Sequence, residues 1–304
     1  KNQYFHSVTK AYELEHSESC ERRPLKEFTK QEREKLCCAR IQLLEKMYQN
    51  WMAWGDLVRR VIAECGAAAM ADAVLLNIDE SLLNAQYGTV SSDDVYRYKV
   101  GLLHCLASRG DLGLHAAVVL PHRNFGHPKN GSFQSTMQRT LRVVIASRDG
   151  GGRVDVHVSN RDERPGYVNR ALFRAYLYQC LQRVRLKHTG VVVVMIDQAT
   201  IHSFTQAERS ALSRERVYVY TLVGGTTVMQ QPCDTESSFA TAKRQIRSLM
   251  TEEIVFDKDC HRALFLAMER NSRPEAFSRL GFSRSAAESV KLHSRIEQLI
   301  SRCI

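Results

Sequence analysis

The sequence contains no apolar run long enough to cross a membrane and no pattern typical of a secretory signal. A spanning helix needs about 20 consecutive apolar residues, and every apolar run in these 304 residues is shorter. The chain begins at Lys1 rather than at a methionine, so we expect a fragment or a processed chain, with room for a further module before it. Because 44% of the residues are apolar, the chain has enough material for the core of one large domain or two ordinary ones.

Three common catalytic signatures are also missing. The dipeptide Gly-Lys never occurs, which excludes the phosphate-binding loop that P-loop nucleotide hydrolases require. No Gly-x-Gly-x-x-Gly motif follows an apolar run, which argues against a dinucleotide site. No Gly-x-Ser-x-Gly elbow supports a hydrolase triad. The chemistry of this chain must therefore be sought in other residues.

The nine cysteines form no Cys-x-x-Cys pair. An odd number of scattered cysteines is typical of free thiols in a reducing compartment. A group of histidines and cysteines between residues 104 and 127 suggests zinc at first sight, but its spacing matches no common zinc motif. We therefore expect no zinc at this group, which consists of His104, Cys105, His115, His122 and His127.

Positive charge is in excess and is concentrated in one part of the chain. The net charge is +10, and between Pro121 and His188 13 lysines and arginines stand against 4 acidic residues. Such a surplus favours an anionic partner, and nucleic acid is the commonest one. An ordinary basic surface is the alternative, because charge alone does not identify a ligand.

Hydrophobic periodicity predicts an α/β fold with a mixed sheet flanked by helices. Apolar residues recur at helical spacing from Pro24 to about Gly66, and again over 169–187. A glycine-rich turn joins two alternating runs as a hairpin. The run VVVVMI is apolar on both faces, so we expect a central strand there. The predicted strands span 73–80, 115–121, 141–147, 153–159, 191–196 and 217–223, a further helix spans 206–215, and helices follow residue 235 with breaks at Pro274 and Gly281.

Two of the predicted strands end in a carboxylate. The run AVLLNIDE leads to Asp79, and VVVVMI leads directly to Asp197. If the two strands are neighbours, the carboxylates lie side by side and repel each other, unless one stays protonated or a cation lies between them. Mg²⁺ takes oxygen ligands and is usually held by one or two carboxylates together with substrate phosphates. Paired acids beside a basic surface therefore indicate metal-assisted phosphoryl chemistry.

A third acid should complete such a site, and Asp234 is the candidate. It follows the stretch GGTTVMQQP, in which Pro232 can end a loop. The alternative is a structural role, because an aspartate just before a helix most often caps its N-terminus. In that case Asp234 or Thr235 caps the helix that follows. His202, in the segment after Asp197, is likewise either a general base or, more commonly at such a position, a structural residue.

Three short blocks resemble the catalytic blocks of DDE/D transposases. They are most similar to the pogo and Tigger-like branch of the mariner superfamily, which includes relatives of centromere protein B. The first block matches the family's Asn-x-Asp-Glu, the second its Asp followed by His, and the third its Thr-Thr and Gln-Pro-x-Asp. The resemblance covers roughly residues 60–285. The matching residues are Asn77, Asp79 and Glu80; Asp197 and His202; and Thr226, Thr227, Gln231, Pro232 and Asp234.

The sequence departs from the family pattern at a few positions. Gln198 stands where the family has asparagine, Gln230 where it has an apolar residue, and Cys233 where it has leucine. The family's basic residue in the helix after the third acid would be Lys243, displaced by about one position. All three acids are retained.

The resemblance implies a ribonuclease-H-like core, expected over residues 67–256, between a helical N-terminal extension or linker (1–66) and a C-terminal helical segment (257–304). It also implies that Asp79, Asp197 and Asp234 bind two Mg²⁺ or Mn²⁺ ions, cleave transposon ends and transfer the 3′-hydroxyl to target DNA. The residues expected to support these acids are Glu80, Gln198, His202 and Gln231. The residues expected to contact phosphates are Arg139, Arg142, Arg148, Arg153 and Lys243.

Three functions therefore stay open. The chain is an active metal-dependent transposase or endonuclease, which the intact acids favour. Alternatively it is a domesticated descendant that binds DNA or protein without catalysis, which Gln198 favours. The third hypothesis is a structural subunit of a larger ribonucleoprotein assembly, where the basic charge contacts RNA. The first two predict a nuclear protein and the third an organellar one, as a homodimer or within a larger assembly.

Overall fold

The computed structural model describes residues 29–87, 96–112, 115–119, 140–146, 152–157, 168–235 and 275–285. The helices in these ranges are α1 (Lys30–Cys65), α2 (Ala67–Ala71), α3 (Arg170–Lys187), α4 (Gln206–Arg214), α5 (Thr227–Gln230), α6 (Pro232–Thr235) and α7 (Ala276–Arg279), with short 3₁₀ turns at Gly110–Leu112 and Thr200–His202. The strands are β1 (Val74–Tyr87), β2 (Tyr96–Ala107), β3 (His115–Val119), β4 (Thr140–Ala146), β5 (Gly152–His157), β6 (Val192–Ile196) and β7 (Val217–Thr221).

The strands form one mixed sheet in the order β5-β4-β3-β2-β1-β6-β7. Strands β1 to β5 pair with their sequence neighbours in antiparallel fashion, including the predicted glycine-linked hairpin of β4 and β5. On the other side of β1, strand β6 pairs with β1 in parallel, and β7 pairs with β6 in parallel. This combination of an antiparallel meander and two parallel strands, with helices on both faces, is the arrangement of a ribonuclease-H-like fold. The predicted fold class is confirmed.

Strand β6 is the centre of the core. All five of its residues are buried, and they alternate between two hydrophobic clusters on opposite faces of the sheet. Val193 and Met195 pack with α1 on one face, while Val192 and Val194 pack with α3 on the other. The all-apolar run VVVVMI therefore reflects a strand that meets a hydrophobic layer on each side, as predicted.

Helix α1 begins at Lys30 and not at Pro24, the predicted start. Thr29 caps it through a capping box: its hydroxyl accepts the backbone N–H of Glu32 at 3.2 Å, and the Glu32 carboxylate accepts the backbone N–H of Thr29 at 2.7 Å. The buried part of its apolar stripe packs on the sheet face that carries Tyr218 and Tyr220; this part is Leu43, Met47, Trp51, Trp54, Leu57, Val58 and Val61. The helix thus contributes to the main core, whereas the predicted domain boundaries stay predictions.

The segment 275–285 also joins this core. The indole N–H of Trp51 donates to the carbonyl of Leu280 at 2.8 Å, and that of Trp54 donates to Ser283 at 2.7 Å. Phe282 packs edge-on against Trp54. The predicted break at Gly281 is confirmed, because helix α7 ends just before this residue, whose φ of 86° favours glycine. In the parts of the chain that the structure describes, no helix has the length and apolarity needed to cross a membrane.

The predicted end of the first strand at Glu80 is wrong. Strand β1 continues to Tyr87, because β2 pairs with it over its whole outer length, from Leu76 opposite Ala107 to Tyr87 opposite Tyr96. Strand β2 itself was not predicted. Asp79 consequently lies within a strand, and the shorter neighbour β6 is the one that ends at its acid.

Candidate active site

Asp79 and Asp197 lie on neighbouring strands, as the sequence predicted. Strands β1 and β6 are parallel, and Asn77 is opposite Met195 in their register. Continuing this register brings Asp79 opposite Asp197, which directly follows the last residue of β6. Asp79 is buried, with 6% of its surface exposed, and Asp197 is half-buried. The end of β6 therefore brings the two carboxylates to one edge of the sheet.

Asp234 approaches the same edge from a different element. It lies within the short helix α6, and its backbone N–H donates to the Gln231 carbonyl at 3.0 Å. Its predicted role as the N-cap of a following helix is wrong, because helical turns already run through 227–230 and 232–235. The Asp234 side chain is exposed.

Asn77 fixes helix α6 against the two central strands. This fully buried side chain donates from Nδ2 to the Met195 carbonyl on β6 at 3.1 Å, and its Oδ1 accepts the backbone N–H of Cys233 at 2.8 Å. The Cys233 thiol in turn donates to the Asn77 carbonyl at 3.4 Å. Asn77 thereby sets the position of Asp234 relative to Asp79 and explains why an asparagine occurs in the first block. The same contact gives a reason for cysteine at position 233, because a leucine there could not donate to the Asn77 carbonyl.

The acids influence one another electrostatically. Burial raises the pKa of the Asp79 carboxyl well above its ordinary value, and the negative charges of Asp234, Glu80 and Asp197 raise it further. The backbone N–H of Glu80, which donates to Asp79 Oδ1 at 2.8 Å, opposes this only in part. A cation beside Asp79 would relieve both the repulsion and the cost of burying its charge.

His202 lies between two of these acids and offsets part of their negative charge. Its Nδ1 donates to Asp197 Oδ1, and its Nε2 donates to Glu80 Oε2 at 2.8 Å. Its side chain is fully buried, with the ring 4.2 Å from the centroid of Phe173 on α3. Burial alone would lower the pKa of His202, but the hydrogen bonds to Asp197 and Glu80 and their charges raise it to about 9. Because both ring nitrogens carry protons at neutral pH, this arrangement favours a structural role over that of a general base.

One oxygen of Asp197 is already engaged by protein donors. Burial would raise the pKa of Asp197, but the hydrogen bond from His202, the charge of that imidazolium and the backbone N–H of Ala199 together lower it. The Ala199 N–H donates to the same Oδ1 at 2.9 Å. Asp197 is therefore ionised at neutral pH, and Oδ2 makes no hydrogen bond to any described residue. That oxygen is the one available to a ligand.

Gln198 and Gln231 occupy different environments. Gln198 is exposed, and its Oε1 accepts the backbone N–H of Gly224 at 2.9 Å, which links the segment after β6 to the turn after β7. Gln231 is buried at the junction of α5 and α6, where its backbone N–H donates to Thr227 at 2.8 Å. Both side chains lie close to the segments that carry the acids.

Gln230 is held by a residue that the sequence analysis missed. Asn50, fully buried on α1, donates from Nδ2 to Gln230 Oε1 at 2.7 Å and to Thr226 Oγ1 at 2.8 Å. Its Oδ1 accepts the Val223 N–H at 2.8 Å, and Gln230 Nε2 donates to the Met47 carbonyl at 3.2 Å. The polar residue within the buried stripe of α1 was the available signal, since a buried amide requires partners.

The Asn50–Gln230 pair should show strong energetic coupling. We expect Gln230→Leu to lower the free energy of unfolding by about 2 kcal/mol, because the Asn50 amide loses an acceptor in a buried site. We expect a similar loss for Asn50→Leu. The double variant should lose at least about 1 kcal/mol less than the sum of the two. Urea denaturation of the four proteins measures the coupling, and strictly additive losses would contradict it.

The donor set suits a hard divalent cation in its chemistry but is not assembled as a ligand group. Among the described residues, no three His, Cys, Asp or Glu side chains are arranged to hold a metal ion. Asp197 and Asp234 are close enough for their charges to act on Asp79, but the three carboxylates are not grouped as ligands. Carboxylate oxygens are nevertheless the ligands that Mg²⁺ and Mn²⁺ prefer. Asp79, Asp197 and Asp234 are the residues that would hold such an ion.

The predicted phosphate contacts fall in the least described part of the chain. Arg142 lies in β4 and Arg153 in β5, where the structure gives the strand pairing alone. The other three residues, Arg139, Arg148 and Lys243, lie outside the described residues. The described cysteines are free thiols, in line with the cysteine pattern; they are Cys38, Cys65, Cys105, Cys180 and Cys233.

Comparisons with known proteins give structural neighbours only. No family model and no curated protein matches the sequence. The solved catalytic domain of Mos1 mariner transposase superposes with a TM-score of 0.39 at 12% identity, over 85% of this chain and 94% of that one. The Mos1 transposase paired-end complex with left transposon end gives 0.37 at 13% identity, over 94% of this chain and 66% of that one. The Mos1 strand transfer complex gives 0.36 at 13%, over 86% and 62%.

Proposed function

We propose that this chain is a transposase-derived nuclease that cleaves DNA and transfers the resulting 3′ end. The observation that carries the proposal is the convergence of acidic side chains beside the end of β6, where the buried Asp79 has a strongly raised pKa caused by burial and by its acidic neighbours. Groups with such perturbed pKa values are enriched at functional sites. The sequence blocks around Asp79, Asp197 and Asp234 lead us to assign it to the pogo and Tigger-like branch, with a nuclear location.

In this proposal the three aspartates hold one or two Mg²⁺ or Mn²⁺ ions. When bound, such ions neutralise charge on the phosphate and activate the attacking oxygen. The protein positions their ligands: Asn77 ties the helix of Asp234 to β1 and β6, and the Glu80–His202 pair orients Asp197. The basic residues between Pro121 and His188 are the proposed contacts to the DNA backbone.

Calorimetric titration with Mn²⁺, in the presence and absence of a short DNA duplex, tests this function. We expect the wild-type protein to bind Mn²⁺ and the Asp79→Asn variant to lose this binding, because asparagine removes a charged oxygen ligand. The control is Asp56→Asn, which removes a carboxylate from the exposed face of α1, where it pairs with Arg59. Equal Mn²⁺ binding by wild type and Asp79→Asn would refute the proposed metal site.

A catalytically silent, nucleic-acid-binding or protein-binding module is the second candidate. One observation favours it: the His202 imidazolium already bridges Glu80 and Asp197 and offsets part of their negative charge without a metal. Such a module would keep the fold while binding DNA, or RNA within a larger assembly. Salt-dependent DNA or RNA binding without any Mn²⁺ binding would favour this candidate over the nuclease.

A further inference from the structure

A two-glycine turn joins strand β7 to helix α5 beside the candidate active site. Gly225 has a φ of +84°, a conformation that residues with a side chain rarely adopt. At Gly224, a Cβ atom would lie 2.8 Å from Gln198 Oε1. The positive φ favours glycine at 225, where an added Cβ would lie 3.5 Å from Lys46 Nζ, whereas the atom close to Gly224 is the end of a flexible side chain that can move. The turn thus donates a hydrogen bond to Gln198 and lies near the ammonium of Lys46.

Gln198 directs its amide nitrogen away from the turn. Its Oε1 accepts the Gly224 N–H at 2.9 Å, which fixes the orientation of the amide group. The Nε2 atom donates no hydrogen bond to any described residue, and the side chain is exposed. Because Gln198 directly follows Asp197, its backbone lies beside this acid. The longer glutamine, in place of the asparagine of related sequences, supplies the reach to Gly224.

Lys46 brings a positive charge to the same turn from helix α1. It is half-buried, and it forms no ion pair or hydrogen bond with any residue that the structure describes. The backbone N–H of Gly225 is likewise unbonded within the described ranges. Three donors that have no hydrogen-bond partner among the described residues therefore lie at or beside the turn: the Lys46 ammonium, the Gln198 amide NH₂ and the backbone N–H of Gly225.

We propose that Lys46, Gln198 and the Gly224–Gly225 turn bind a phosphate group of the DNA backbone. Donors of these three kinds are the ones that proteins use to hold phosphate oxygens. Because Gln198 is next to Asp197, a DNA strand bound at this turn would pass the edge of the sheet where the aspartates lie. This assignment rests on the proposed function for its choice of ligand, because a DNA backbone presents phosphates next to a bond to be cleaved.

The test measures DNA binding as a function of salt for wild type, Lys46→Gln, Lys46→Arg and the control Lys35→Gln. Lys35 is an exposed lysine on the same helix, away from the turn. Loss of one phosphate contact should reduce the slope of log K against log salt by about 0.9 and weaken binding about five- to tenfold near 0.1 M salt. We expect this for Lys46→Gln, little change for Lys35→Gln, and near wild-type binding for Lys46→Arg, which keeps the charge.

The outcomes separate this inference from the proposed function. Wild-type binding with an unchanged slope in Lys46→Gln overturns the phosphate contact and leaves the nuclease proposal standing. A wild-type protein that binds no DNA overturns both. If the site binds inorganic phosphate but not DNA, with the same dependence on Lys46, its ligand is a small free anion and not the DNA backbone. Gln198→Glu provides a second variant: its negative charge should weaken DNA binding more than Gln198→Ala does, and equal binding by the two contradicts the proposal.

Discussion

Strand cleavage by an Asp197→Asn variant is expected to fall at least about a thousandfold below that of the wild-type protein. Asp197 is ionised, and its free Oδ2 is the charged oxygen that it can offer to a divalent ion. Loss of such a ligand removes several kcal/mol of charge stabilisation from a phosphoryl-transfer reaction. About 4 kcal/mol corresponds to a thousandfold change in rate. Single-turnover nicking of an end-labelled duplex in Mg²⁺ measures the effect.

The matched control removes the same charge from an exposed aspartate just before the first strand. Asp72 precedes β1 and is 76% exposed, whereas Asp79 is buried within the strand. Asp72→Asn should cleave DNA at nearly the wild-type rate. Thermal melting must accompany the assay, because Asp197→Asn also weakens the contact with His202. A folded Asp197→Asn protein that cuts DNA as fast as wild type would exclude the nuclease function.

Local sequence patterns were sufficient to predict the helices and strands that pack directly on a hydrophobic layer. Strand β6 could be predicted as central because every one of its residues is apolar, and both faces are indeed covered. The buried stripe of α1 and the face of α3 follow helical periodicity for the same reason. In each case the buried positions are occupied by apolar residues, and the spacing of these residues in the sequence indicates a helix or a strand.

The failures concern partners that are distant in sequence. The length of β1 depends on its pairing with β2, which was missed although its residues from Tyr96 to Val100 alternate between apolar and charged side chains; that local pattern does not show which strand it pairs with. Helix α6 contains only four residues, and its position depends on the bond from Cys233 to Asn77. A capping role for Asp234 seemed reasonable from its neighbours alone, but tertiary contacts decide the conformation there.

The same limit applies to the candidate site. The adjacency of Asp79 and Asp197 was implied by the resemblance of the sequence blocks, because the apolar runs indicate two strands that lead to acids but not that these strands are neighbours. The bridge through His202 could not be predicted, because His202 reaches Glu80, a residue 122 positions before it in the chain. The Asn50–Gln230 bond spans 180 positions. In both cases the sequence marks a polar residue in a buried place but does not identify its partner.

The His202→Phe variant is expected to lose about 3 kcal/mol of folding free energy. Phenylalanine fills the volume beside Phe173 but leaves the Glu80 and Asp197 carboxylates facing each other without a cation. Removing one partner of a buried ion pair costs about 3–5 kcal/mol, and the lower end applies here, because these carboxylates are 26% and 23% exposed. Urea denaturation at neutral pH measures the loss.

The control variant is His188→Phe, which removes another buried histidine. The effect of Mn²⁺ on the melting temperatures of the two variants then tests the role of the charge. The His188 side chain is also buried, but its nearest acid, Asp72, is 3.7 Å away and mostly exposed, so His188→Phe should cost less than His202→Phe. If the acids repel each other once the imidazolium is gone, a divalent ion that binds between them stabilises the folded state. We therefore expect Mn²⁺ to raise the melting temperature of His202→Phe by more than that of His188→Phe. An equal response of the two variants would mean that Glu80 and Asp197 do not share a cation, and that His202 contributes by packing against Phe173 rather than by its charge.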